Sequence, residues 1–263
     1  QDRSSAASDV YKRQAEGFTA VKFDPAGQYT VYDGRMPDLE ALERSERFCR
    51  EIRAAVGDSA DMLFGTHGQF TAAGALRLAQ RLEPYDPLWF EEPCPPDMPE
   101  EMAKVAASTK IPVATGERLC SKFEFARVLD HGAAAILQPD LGRAGGILEG
   151  KKIAAMAETR YVQIAPHLYC GPIVAAANIQ LAACIPNFLI LESIGRMDGF
   201  HAELLKTPLR WEDGYILPPT APGLGVELND DVVAAHPWQG DRLHLEMGDA
   251  PHDPRRHGPF AGG

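Results

Sequence analysis

The feature that most constrains this chain is a polar punctuation mark that returns about every 25 residues, the length of one strand plus one helix. Short apolar runs close at Lys22/Asp24, Gly65/His67, Glu91, Glu117, Asp140, His167 and Glu192. The clearest copy spans residues 88–119. There Leu88-Trp89-Phe90 ends in Glu91, residues 99–110 have helical composition, and Ile111-Pro112-Val113-Ala114 leads to Glu117. Strand, helix and strand in that order make a βαβ unit that delivers both carboxylates to one rim of a parallel sheet. An open doubly wound sheet alternates in the same way but gathers its ligands at one switch point. Here nearly every unit offers a titratable group, so the expected fold is an α/β, TIM-like (β/α) barrel.

Composition removes several other classes. A chain of 263 residues with 45% hydrophobic content can bury one large core, and a net charge of −11 leaves no electrostatic footprint for nucleic acid. No apolar run approaches the length of a membrane span. The five cysteines, Cys49, Cys94, Cys120, Cys170 and Cys184, form no C-x-x-C pair. They read as reduced thiols of a cytoplasmic protein rather than a disulfide frame or zinc site.

Taken in order, residues 1–14 have no strand or signal-peptide pattern and are expected to be a non-native or disordered leader. Residues 15–198 are expected to form the barrel. Its elements are a strand over Ala20 to Asp24, a helix from Pro37-Asp38 to Val56 and a strand from Asp61 to Phe64. A helix with Ala75, Leu78 and Leu82 on its buried stripe precedes the central unit. Beyond Glu117 the pattern gives a helix over 122–129, a strand over 133–137 and a helix carrying Ile153 and Met156. A strand over 162–165, a helix over 171–183 and a strand over 188–191 complete the series. Residues 199–248 are Pro/Gly-rich and are expected to pack on the barrel or on a missing cap, and 249–263 to be a disordered tail.

The polar positions suggest one chemistry. Glu91 and Glu117, from adjacent strands, can share a hard divalent cation, and Mg2+ suits oxygen donors on an open rim. Each glutamate alone could equally be a surface carboxylate or an ion-pair partner. Asp140 and His167 end consecutive strands, where a carboxylate can fix an imidazole's tautomer and raise its basicity, giving a general base. With cationic Lys22 nearby, the set suits removal of a proton α to a carboxylate, the cations stabilising the enediolate.

The segments GFTAVKFD, WFEEP, PVATGERL, ILQPDLGRAGGI, APHLYCGPI and PNFLILES, together and in this order, resemble the enolase superfamily. Within it the likeness is to the mandelate racemase subgroup and its galactonate dehydratase-like acid-sugar dehydratases. The resemblance implies a modified barrel preceded by a capping domain, with that cap and the first barrel strand lacking here. It also implies a homo-oligomer at full length, a small-molecule sugar-acid substrate and Mg2+ as cofactor. Carried over, Glu91 and Glu117 are metal ligands, Lys22 pairs with the substrate carboxylate, and Asp140 and His167 form the dyad. Glu192 binds the substrate carboxylate or enediolate. His67 handles the leaving hydroxyl. Asp24 stands where racemases of the family place a second lysine, which disfavours two-base racemisation.

Gly65 departs from the pattern, because it occupies the position of the first metal ligand. The expected activity is dehydration of an aldonate or aldarate to a 2-keto-3-deoxy acid. A cycloisomerase or epimerase using the same enolate, or a catalytically silent barrel, are the alternatives.

Overall fold

The computed structural model describes residues 15–26 and 32–239. The expected leader at 1–14 and tail at 249–263 lie outside the described residues. Strands alternate with helices as the sequence pattern requires, and the chain divides into two compact units. The described part of the first unit comprises residues up to Thr115 together with Val128–Ala135. The second comprises Gly116–Arg127 and the residues from Ile136 onward.

In the first unit, strands β1 (Ala20–Phe23), β2 (Asp61–Gly65), β3 (Trp89–Glu91) and β4 (Val113–Thr115) pair in parallel, each with the next. Side chains alternate between the two faces of a strand, so Phe23, Phe64 and Phe90 share one side. Their rings meet edge-on, with centroids 5.4 Å apart for Phe23–Phe64 and 6.4 Å for Phe64–Phe90. Such T-shaped contacts set the positive ring edge against the negative ring face. The opposite side of the same strands presents Lys22, Gly65 and Glu91, and the register sets Gly65 beside Glu91. Helix α1 (Leu39–Val56) starts where Asp38 accepts a bond from the Ala41 N–H, and α2 (Ala72–Leu82) starts where Thr71 accepts from Gly74. Both caps satisfy amides that the first helical turn leaves unpaired. The buried stripes Leu42, Cys49, Ile52, Val56 and Ala75, Leu78, Leu82 are those the helical period predicts. Helix α3 (Pro99–Ala106) connects β3 to β4.

Helix α4 (Lys122–Asp130) leads into β5 (Ile136–Leu137), which pairs in parallel with β6 (Gln163–Ile164) in the second unit. Between these strands runs α5 (Gly146–Glu158), and α6 (Pro172–Ala182) follows them. The strand expected over 188–191 does not form. Phe188 makes one isolated parallel bridge to Ile164, flanked by the bonds Ile164 N–H to Asn187 O and Leu189 N–H to Ile164 O. β6 is too short to extend that ladder, and the Glu192 carboxylate instead receives the Leu168 N–H. The strands expected over 133–137 and 162–165 are likewise shorter than their apolar runs.

Beyond these lie α7 (Phe200–Glu203), the antiparallel pair β7 (Trp211–Glu212) and β8 (Tyr215–Ile216), and α8 (Asp230–Ala235). The Gln180 amide on α6 donates to Pro219 O and Leu224 O, both at 3.3 Å, tying this C-terminal stretch to that helix. Among the described residues no helix is long and apolar enough to cross a membrane.

Gly116, just before Glu117, has φ +141, and a Cβ there would lie 2.7 Å from Phe125 Cε1 and 2.9 Å from the Gln138 backbone N. The neighbour at 2.9 Å is main chain and cannot rotate away. Gly116→Ala is therefore expected to cost about 2 kcal/mol of stability, the scale of one strained backbone conformation. A lower urea midpoint with an unchanged slope is the check.

Candidate active site

The polar ends of the strands in the first unit bring together Lys22, Asp24, His67 and Glu91. Glu91 is fully buried. Its Oε1 accepts from Lys22 Nζ at 2.8 Å and its Oε2 from Trp89 Nε1 at 3.2 Å. The Lys22 stem reaches Glu91 by crossing Gly65, where a Cβ would stand 2.6 Å from Lys22 Cε and 3.3 Å from Cγ. Asp24 accepts from the Ala26 N–H at 2.7 Å and from the Gln69 amide at 3.1 Å. Gln69 turns its carbonyl oxygen to the His67 N–H at 2.7 Å. His67 Nδ1 lies 3.8 Å from Asp24 Oδ2, an ion pair when the ring is protonated but too long for a hydrogen bond. Gln69 and Trp89 were not among the residues the sequence singled out. Trp89 could have been, since it stands two positions before Glu91 on the same strand face.

Asp140, His167, Glu117 and Glu192 belong to the second unit. The expected dyad is present, with His167 Nδ1 2.8 Å from Asp140 Oδ2. A bond from Nδ1–H to a buried carboxylate leaves the Nε2 lone pair to act as base. Nε2 faces Glu117 Oε2 at 3.4 Å and Glu192 Oε2 at 3.9 Å. The ring is held through its backbone as well. Asn178 Nδ2 donates to His167 O at 3.0 Å, and the next residue, Leu168, donates its N–H to Glu192 Oε2 at 2.8 Å. Cys170 Sγ, 3.5 Å from Asp140 Oδ2, is a further contact that spacing did not reveal.

Burial alone would push the Asp140 carboxyl up. The hydrogen bond and charge of His167, with the N–H of Gly142 at 2.7 Å and the Cys170 thiol, outweigh it and hold the group below the usual aspartate range. A carboxyl depressed on folding stabilises the native state above its unfolded value of roughly 3.9, and that contribution is lost as pH falls through the lower folded value. Asp140→Asn should therefore flatten the acid limb of stability below about pH 4. Urea midpoints measured from pH 3 to 6 would show it, and an acid limb identical to wild type would contradict the assignment. For Cys170 the shift is the reverse: burial first, then the Asp140 charge, push its thiol up, so it stays protonated and can donate.

A metal ion bound by three side-chain oxygens does not fit these residues. Gly65 has no donor, and the two Glu91 oxygens already accept from an ammonium and an indole. Among the described residues no group of three or more His, Cys, Asp or Glu side chains is arranged to hold a metal ion.

Residues 5–232 match the family described as Enolase C-terminal domain-like, and the chain belongs to that family. It is 41% identical over 226 residues to D-galactonate dehydratase of Ralstonia nicotianae, covering 84% of this chain and 58% of that protein. It is 36% identical over 233 residues to D-xylonate dehydratase of Haloferax volcanii, covering 88% and 57%. Among solved structures, a mandelate racemase/muconate lactonizing enzyme type protein from Labrenzia alexandrii superposes with TM-score 0.89 at 68% identity, covering 92% of this chain and 62% of its own. The chain thus spans about three fifths of the length of the relatives it matches. The fold is the modified α/β barrel expected from the sequence. Dehydratases of this superfamily are generally metal-dependent.

Proposed function

We propose that this chain carries the barrel chemistry of a sugar-acid dehydratase, converting an aldonate or aldarate to a 2-keto-3-deoxy acid through an enediolate. The dyad of His167 and Asp140, closed at 2.8 Å, carries this reading. His167 Nε2 takes the proton α to the substrate carboxylate, breaking the C–H bond and leaving its electron pair in the enediolate. Asp140 holds the ring in the tautomer that makes this possible and stabilises the imidazolium that results. Glu192 contacts the substrate carboxylate or enediolate. His67 donates a proton to the departing β-hydroxyl, the C–O bond breaks, water leaves, and the enol tautomerises to the 2-keto product.

Mg2+ at Glu91 and Glu117 is what the family resemblance implies, but both Glu91 oxygens already accept from Lys22 and Trp89, and the residues present do not fit it. With Gly65 in place of the third donor, no step above is assigned to it. Lys22 supplies positive charge from the chain itself. The free state of all five cysteines supports a cytoplasmic location.

The test is an assay of this chain and of a full-length relative with the same dyad against a panel of aldonic and aldaric acids. D-galactonate and D-xylonate come first. Appearance of a 2-keto product is expected, and its absence across the whole panel would overturn the reading.

A further inference from the structure

The first unit departs from a carboxylate metal site in a coordinated way. Where a donor side chain would stand at Gly65, the structure has the stem of Lys22, whose Cε lies 2.6 Å from the position of a Cβ. The ammonium at the end of that stem sits 2.8 Å from Glu91 Oε1. Trp89 Nε1 holds the other oxygen at 3.2 Å, fixing the carboxylate plane. Glu91 is 0% exposed, and a buried carboxylate needs a cation or strong donors beside it. The absence of a side chain at 65 and the presence of a lysine across it are thus one arrangement. A Cβ at 65 would force the Lys22 stem to shift from its present path to Glu91.

We propose that the Lys22 ammonium occupies the cation position at Glu91, so that a divalent ion reaches this carboxylate only by displacing it. The charge the ion would bring is already present on the chain, and divalent affinity at Glu91 is set by competition with an internal cation. This goes beyond the dehydratase reading and needs no substrate to test.

The experiment titrates the purified 263-residue chain with Mn2+, following free Mn2+ by electron paramagnetic resonance, with Mg2+ competition by calorimetry. Lys22→Met keeps an apolar stem but removes the charge, and is expected to tighten Mn2+ binding roughly tenfold or more, the scale of a coupling between competing ligands. Gly65→Ala leaves every charge in place and displaces only the stem, and is expected to shift affinity in the same direction. This second variant keeps the proposal open to refutation if Lys22→Met fails to fold. Equal Mn2+ affinity in wild type and Gly65→Ala, or weaker binding in Lys22→Met, would overturn it.

Discussion

His167→Asn is expected to abolish product formation and, with it, exchange of the substrate α proton with solvent. Asparagine can keep a bond to Asp140, but its amide has no lone pair basic enough to take a carbon-bound proton. No enediolate then forms, so every later step is lost together. The drop expected from removing a general base is about 100- to 10,000-fold. Rates of product formation and of deuterium incorporation, measured side by side, should fall in parallel. Exchange that survives in His167→Asn would place the base elsewhere.

His67→Asn should separate the same two measurements. His67 is held by Gln69 through its backbone N–H and has the Asp24 carboxylate 3.8 Å from Nδ1. In the proposed mechanism its duty is to give a proton to the leaving hydroxyl. If this is its only duty, dehydration should fall by roughly 100-fold or more while exchange continues, because His167 can still form and reprotonate the enediolate. Were His67 instead recruited to a metal in the absence of a donor at Gly65, exchange would fall as well and Mn2+ affinity would weaken. Unimpaired dehydration would remove it from both roles.

Much of this site was legible from spacing, and the reason is geometric. A strand alternates its faces with period two and ends on the same rim as its neighbours, so the last polar residue of each apolar run locates a rim position without any knowledge of packing. That is why Asp140 and His167, ending consecutive strands, could be paired in advance and are found 2.8 Å apart. The helix start at Asp38 was readable for an equally local reason, since the cap bond reaches only three residues ahead.

What stayed hidden depends on partners distant in sequence. Gln69 reaches Asp24 across 45 positions and Cys170 reaches Asp140 across 30, neither of which leaves a periodic trace. The apolar run at 188–191 has strand composition, but a strand exists only as far as its partner continues, and β6 ends at Ile164. Gly65 was recognisable as a gap in the metal pattern. That the gap holds the stem of Lys22 required the register of β1 on β2.

The bond from the Leu168 N–H to Glu192 has a consequence for how such a site can diversify. Leu168 is fully buried, and its amide belongs to the peptide that follows His167, so Glu192 anchors the segment that carries that imidazole. Shortening Glu192 to aspartate, an obvious change for accommodating a bulkier acid, would withdraw the acceptor from a buried amide and loosen the imidazole in the same stroke. Under the roles proposed for Glu192 and His167, substrate range and proton abstraction are coupled at this position. A lineage that alters one inherits a change in the other unless the peptide between residues 167 and 168 finds a new acceptor.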